Sequence, residues 1–214
     1  MLLLNKKYTK QSFIFLFILF SFQLLNSCIF VKMKEKTEEH ISVDVIQKPE
    51  IPMNDEILRS AKGDMISLIP KNWFFVDLAE DTPKDVFAIA VNPSYTLSFI
   101  FSGYPTNELY DGIYKEQKLI GLANASFDRK QKKAGGSLIK ANKIYNFNSG
   151  NLEFVVFRYR TKTQPMNSVN AIFKSSIGNI YEISLVPMNL SGISLPTEDE
   201  MNRIFNSILS TVKY

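Results

Sequence analysis

Apolar positions divide the chain into a continuous hydrophobic run, a mixed polar stretch and a long region of alternating character. The run at residues 13–20 (Phe-Ile-Phe-Leu-Phe-Ile-Leu-Phe) is unbroken hydrocarbon and aromatic surface. From Gly63 the pattern becomes period two, broken by turn residues, which predicts strands. Residues 65–69 form the first, closed by Pro70, and residues 73–76 follow directly. In residues 86–91 the apolar character is continuous, as in a strand buried on both faces, and Asn92-Pro93-Ser94 turns the chain into residues 95–102. There Tyr95, Leu97, Phe99 and Phe101 point one way while Thr96, Ser98 and Ser102 point the other, with Ile100 as the exception.

Three-four spacing of Leu109, Tyr110, Ile113, Tyr114, Leu119, Ile120 and Ala123 predicts a long helix over residues 107–127. The basic cluster Arg129-Lys130-Gln131-Lys132-Lys133 beyond it reads as solvated cations complementing the helix C-terminus, ahead of Gly135-Gly136. Strands are expected at residues 137–147, 152–159, 169–176 and 180–186, the last two joined through Gly178-Asn179, where both residues tolerate positive φ. Thr197-Glu198-Asp199-Glu200 forms a capping box. Met201, Ile204, Phe205, Ile208, Leu209 and Val212 then make a single apolar stripe on a final helix that packs on the sheet. These elements make residues 63–214 one α+β domain.

Residues 28–62 read as a tether. Charges of both signs (Lys32, Lys34, Glu35, Lys36, Glu38, Glu39) and the prolines Pro49 and Pro52 accompany scattered apolar residues. Fully extended, such a segment reaches on the order of 100 Å. A short helix over residues 54–62 is expected, with Asp55 and Glu56 in its first turn and Arg59 and Lys62 near its end.

Composition then removes much chemistry. The 214 residues contain one cysteine, Cys28, and one histidine, His40. One cysteine forms no intramolecular disulfide or thiolate cluster, and one histidine no His-His metal pair. His40 stands among solvated charges with no apolar pocket to position it as a base. Asp77, Glu80, Asp81 and Asp85 could offer oxygen ligands to Ca²⁺, but their spacing is not that of an EF-hand and exposed loop acids are ordinarily solvated. Neither a Gly-x-Ser-x-Gly elbow nor a phosphate loop occurs. No catalytic residue, metal or cofactor is assigned, and the expected class is not an enzyme.

Lys6, Lys7 and Lys10 ahead of the apolar run give the n- and h-regions of an export signal over residues 1–27. The run is marginal as a permanent span, which needs about 20 apolar residues. Leu25-Asn26-Ser27-Cys28 follows, and it resembles the lipobox of bacterial lipoprotein signal peptides: Leu25 and Ser27 match, while Asn26 is a less usual occupant. The resemblance implies diacylation of the Cys28 thiol and cleavage before it, anchoring the chain to a lipid bilayer. Ile29 takes the place of an inner-membrane retention aspartate, which favours the outer membrane, facing periplasm or cell surface.

The strand ending in Ile69-Pro70-Lys71-Asn72-Trp73, the middle helix and the terminal amphipathic helix together resemble the PsbP-like family. That resemblance implies an antiparallel sheet with helices on both sides and no catalysis. Trp73 reads first as a buried aromatic anchoring a strand start. Trp73 and Phe74 are the candidate ligand or partner surface.

The formal net charge of +4 would suit nucleic acid. Cleavage before Cys28 removes three lysines and no acid, so 25 basic side chains fall to 22 against 21 acidic ones, and no nucleic-acid partner is expected. The leading function is an accessory domain binding an envelope protein. The alternative is a carrier holding an apolar ligand between sheet and helix, which requires an enclosed apolar cavity there.

Overall fold

The computed structural model describes residues 43–44, 48–141 and 143–213. They form an α+β fold of three layers. A nine-stranded sheet has helix α1 (Glu108–Lys133) on one face and helix α2 (Glu198–Thr211) on the other.

The sheet contains β1 (Val43–Asp44), β4 (Phe74–Phe75), β5 (Val86–Val91), β6 (Leu97–Gly103), β7 (Leu138–Lys140), β8 (Tyr145–Ser149), β9 (Leu152–Thr161), β10 (Ser168–Lys174) and β11 (Ile180–Pro187). Its order is β1-β8-β9-β10-β11-β6-β5-β4, with β7 also on β9. Pairings are antiparallel except for the two-residue contact of β1 with β8. Strands β7 and β8 lie along one edge of β9: β8 pairs with its first half and β7 with its last residues. The strand expected over residues 137–147 is therefore interrupted, and Ile144, in the interruption, is buried in the core beneath α1.

The two sheet faces differ in chemistry. Leu97, Phe99 and Phe101 of β6, Tyr181, Ile183 and Leu185 of β11, and Val169, Ala171 and Phe173 of β10 face the α2 side in one apolar surface. Phe205 of α2 stacks on Phe99, and Met201, Ile208 and Leu209 are buried with it. Each such side chain contributes about 1.5–3 kcal/mol when fully buried, which explains why this stripe dictates where the helix docks. The capping box at Thr197 and Glu200 forms as the sequence indicates. Arg158 of β9 ties the start of α2 to the sheet through Glu198 and Asn202.

Residues 54–62 are not helical. Strand β2 (Met53–Arg59) pairs antiparallel with β3 (Ile66–Pro70) in a separate two-stranded sheet packed beside α2. Within β2 only Leu58 is buried, beside Met65 and Ile69 in the core cluster. One apolar anchor supplies no helical stripe, whereas pairing with β3 satisfies the backbone. The Oγ1 of Thr211 accepts from the N–H of Leu68, fastening the end of α2 to this hairpin. Ordered structure thus extends N-terminal of the expected boundary at Gly63.

Helix α1 is longer than its apolar stripe and continues through the basic cluster to Lys133. It breaks at Lys118, whose φ of 56° and ψ of −149° are not helical. Tyr95 lies in the turn before β6 rather than in the strand, with φ 55°. The Asn92 side chain organises that turn, accepting from the N–H groups of Thr96 and Leu97.

Candidate functional site

Trp73 sits where the β2–β3 sheet hands the chain to the main sheet. Asn72 adopts φ 69°, a left-handed conformation that asparagine tolerates, and the N–H of Trp73 closes the turn on the Pro70 carbonyl. The reversal sends the indole inward. Trp73 is only 7% exposed and its ring lies 5.2 Å from that of Phe99. Trp73 nevertheless lines an open groove of about 600 Å³. Pro52, Pro70, Pro196 and Ile204 supply the other apolar surface, and Lys71 and Arg203 stand on the rim.

The charge of this groove is unbalanced. Glu200 lies in its lining, where its carboxylate caps α2 and its charge also acts on Arg203, so that two cations face one acid. Among the described residues neither Lys71 nor Arg203 forms an ion pair. Phe74 is outside the groove; it is exposed on the opposite side of the short strand, edge-on to Tyr95. The structure therefore separates the two aromatic residues that the sequence placed in one surface.

A second constellation lies beneath α1, and it corrects the reading of the basic cluster as solvated for Arg129 and Lys130, while Lys132 and Lys133 are exposed. Glu182, in the middle of β11, points to the α1 face with 0% of its side chain exposed. Lys130 Nζ approaches its Oε1 at 2.8 Å, and the Ser126 and Tyr104 hydroxyls donate to Oε2 at 2.6 and 3.0 Å. Burial by itself would raise the Glu182 carboxyl. The Lys130 charge and these hydrogen bonds outweigh it and hold the group below its ordinary range. Burial and the adjacent carboxylate push Tyr104 well above the usual phenol range. Arg129 is also engaged, on Asp85 at 3.0 Å.

Four donors, the fourth being the Ser184 hydroxyl at 3.1 Å from Oε1, and no solvent contact leave this carboxylate no approach for a substrate. The arrangement fastens α1 to the central strands. Its sequence signal is a glutamate in the middle of a strand buried on both faces, which demands a buried cation. The four acids considered for Ca²⁺ do not converge: Asp77, Glu80 and Asp81 are exposed, and Asp85 turns to Arg129.

No protein-family model matches the sequence, and no curated protein matches it. Among solved structures the chain is similar to cyanobacterial PsbP (CyanoP) from Synechocystis sp. PCC 6803, with 15% identity, 74% of this chain and 91% of that one covered, and a TM-score of 0.46. It is also similar to a protein of Bacteroides thetaiotaomicron VPI-5482, with 16% identity and a TM-score of 0.38. That overlap covers 78% of this chain and about half of the other, 48%. At this level of likeness no family, ligand or partner follows.

The lipobox residues Leu25, Asn26, Ser27 and Cys28, and His40, lie outside the described residues. Among the described residues no helix is long and apolar enough to cross a membrane. The space between the sheet and α2 is filled by Phe99, Phe101, Leu185 and Phe205, all at most 1% exposed. The Trp73 groove is a surface feature and not the enclosed cavity that the carrier alternative requires.

Proposed function

We propose that this chain is a bacterial envelope lipoprotein, anchored to the outer membrane through acylated Cys28, whose PsbP-like domain is a non-enzymatic module that grips a protein partner in the Trp73 groove. The observation that carries the binding reading is the lining of one open groove by Trp73, three prolines and two cations, Lys71 and Arg203, neither in an ion pair among the described residues, against the single carboxylate of Glu200. Such a surface suits an extended apolar segment bearing a carboxylate, because flat rings and prolines bury side chains at small entropic cost while the cations fix register. The lipobox resemblance at Leu25, Asn26, Ser27 and Cys28 supports the anchor. The order of strands and helices supports the PsbP-like reading. The sequestration of Glu182 favours a structural over a catalytic role for the one buried carboxylate cluster described above.

Two measurements test the reading. Replacing Cys28→Ser is expected to abolish labelling by a fatty-acid probe and to accumulate uncut precursor; retained labelling defeats the anchor. A photo-crosslinker at Asn72, in the intact envelope, is expected to give a discrete protein adduct that disappears with Lys71→Glu plus Arg203→Glu. Absence of any adduct, or an adduct indifferent to the charge reversal, defeats the groove.

A further inference from the structure

A second cleft, of about 400 Å³, opens where the ends of β5, β6 and β11 meet the loops around Lys62 and Thr106. We propose that it binds a small amphipathic carboxylate, with the apolar body on Phe87 and Tyr181 and the anionic head between Lys62 and Lys84. This site is independent of the Trp73 groove and of any protein partner held there.

The floor is aromatic, with Phe87 half-buried and Tyr181 only 3% exposed. Phe87 and Tyr181 meet edge to face at 6.1 Å. Gly103 adjoins them, and a Cβ there would already lie 3.5 Å from the Tyr181 ring, so a larger side chain would cover it. Phe87 is only half-buried although its ring belongs with the core residues around Phe101. The volume falls in the range of about 300–1,000 Å³ expected for small-molecule sites.

The rim selects the charge. Lys62 Nζ is held at 2.7 Å by Asn179 Oδ1, with Thr106 Oγ1 at 3.4 Å. Both acceptors are neutral, so the ammonium is positioned without being neutralised. Asn179 is itself fixed, since its amide nitrogen donates to Asp64 Oδ2 at 2.8 Å. Asp64 is occupied by further donors on Ser60, Ser175 and Tyr181. Among the described residues Lys84, on the facing rim, forms no ion pair. Asp85, the one carboxylate in the lining, is paired with Arg129. Of the acids near the cleft, Asp85 is paired with Arg129, while Asp64, held by neutral donors, keeps its charge behind Asn179. Neither lysine forms an ion pair among the described residues, and an anion with an apolar body complements both surfaces. A neutral apolar ligand would leave the lysines unused, and an inorganic anion would leave the aromatic floor exposed.

The test uses the full-length protein in lipid nanodiscs, titrated into fluorescent 2-naphthoate and read by anisotropy against empty nanodiscs. Saturable binding is expected, displaced by octanoate, with 2-naphthamide binding about tenfold more weakly. Lys62→Gln plus Lys84→Gln, both on exposed residues, is expected to raise Kd by about tenfold or more. Gly103→Leu should abolish binding by occupying the cleft, with thermal unfolding as the control for folding. The pair Lys71→Gln and Arg203→Gln, in the other groove, should leave Kd unchanged. No saturable signal above the nanodisc blank, equal affinity in the Lys62/Lys84 double variant, or loss of binding in the Lys71/Arg203 variant would each overturn the proposal. The last outcome would place the carboxylate in the Trp73 groove instead.

Discussion

Removing Lys130 exposes what holds α1 to the sheet. In Lys130→Met the methylene packing is largely kept, but Glu182 loses the cation 2.8 Å from its Oε1 while its side chain stays at 0% exposure. Removing one partner of a buried pair typically costs about 3–5 kcal/mol, because the remaining charge is uncompensated. Lys130 is 25% exposed, so some water reaches the site and the lower end, about 3 kcal/mol, is expected. For a domain of this size that corresponds to a fall in Tm of about 6–12 °C. The deficit should depend on pH. In the parent chain the Glu182 pKa is depressed, so its contribution is present above the ordinary value of 4.5 and fades as pH falls through the folded pKa. In the variant, burial dominates and raises the pKa, so the folded state takes up a proton and the penalty shrinks towards low pH. Urea unfolding at pH 7 and pH 4.5 measures both. The partner replacement Lys130→Met plus Glu182→Leu should recover much of the loss. A single variant that costs under about 1 kcal/mol, or a penalty that does not fall with pH, would refute the buried-pair account and restore Lys130 to the solvated surface.

Two other perturbations probe the scaffold. Asp64 is held at a pKa of about 2 against its ordinary 3.8: burial opposes the shift, and hydrogen bonds from Ser175, Tyr181, Asn179 and Ser60 overcome it. Its contribution should therefore be full above pH 4 and be lost between pH 4 and 2; after discounting for solvent screening it is about 1 kcal/mol, and Asp64→Asn should flatten that part of the stability profile. An unchanged acid limb would show that the carboxylate latch is not formed. Gly121→Ala places a Cβ 2.5 Å from Cβ of Gln117 and 2.8 Å from Cγ2 of Ile113, both brought close by the break at Lys118; a loss of about 1–3 kcal/mol is expected from overpacking. A stabilised variant, as alanine gives in an ordinary helix, would mean that α1 is straight.

Much of the scaffold is legible in local pattern. The stripe from Met201 to Val212 and the capping box at Thr197 specify α2 by spacing alone, and the alternation of Leu97, Phe99 and Phe101 specifies the core face of β6. Local pattern fails where one residue serves a distant partner. Residues 54–62 carry helix-like charge placement, yet Leu58 reaches the core only by pairing with β3. Tyr95 continues the alternation of β6 but is diverted by the Asn92 turn. Of the two candidate site residues, Trp73 reaches the groove because Asn72 reverses the chain, while the same reversal leaves Phe74 outside it.

By itself the sequence determined the class of the domain and the docking face of its last helix, because each is written in a fixed period of adjacent residues. Only the tertiary structure decided the fate of the charges. Lys130 and Glu182 are 52 positions apart, and nothing local distinguishes a lysine in a basic cluster that meets a buried carboxylate from neighbours that meet water. The reverse holds for Lys71 and Arg203, and for Lys62 and Lys84. Each is ordinary in sequence, and only the fold brings it to the lining of a groove or cleft beside aromatic or proline surface.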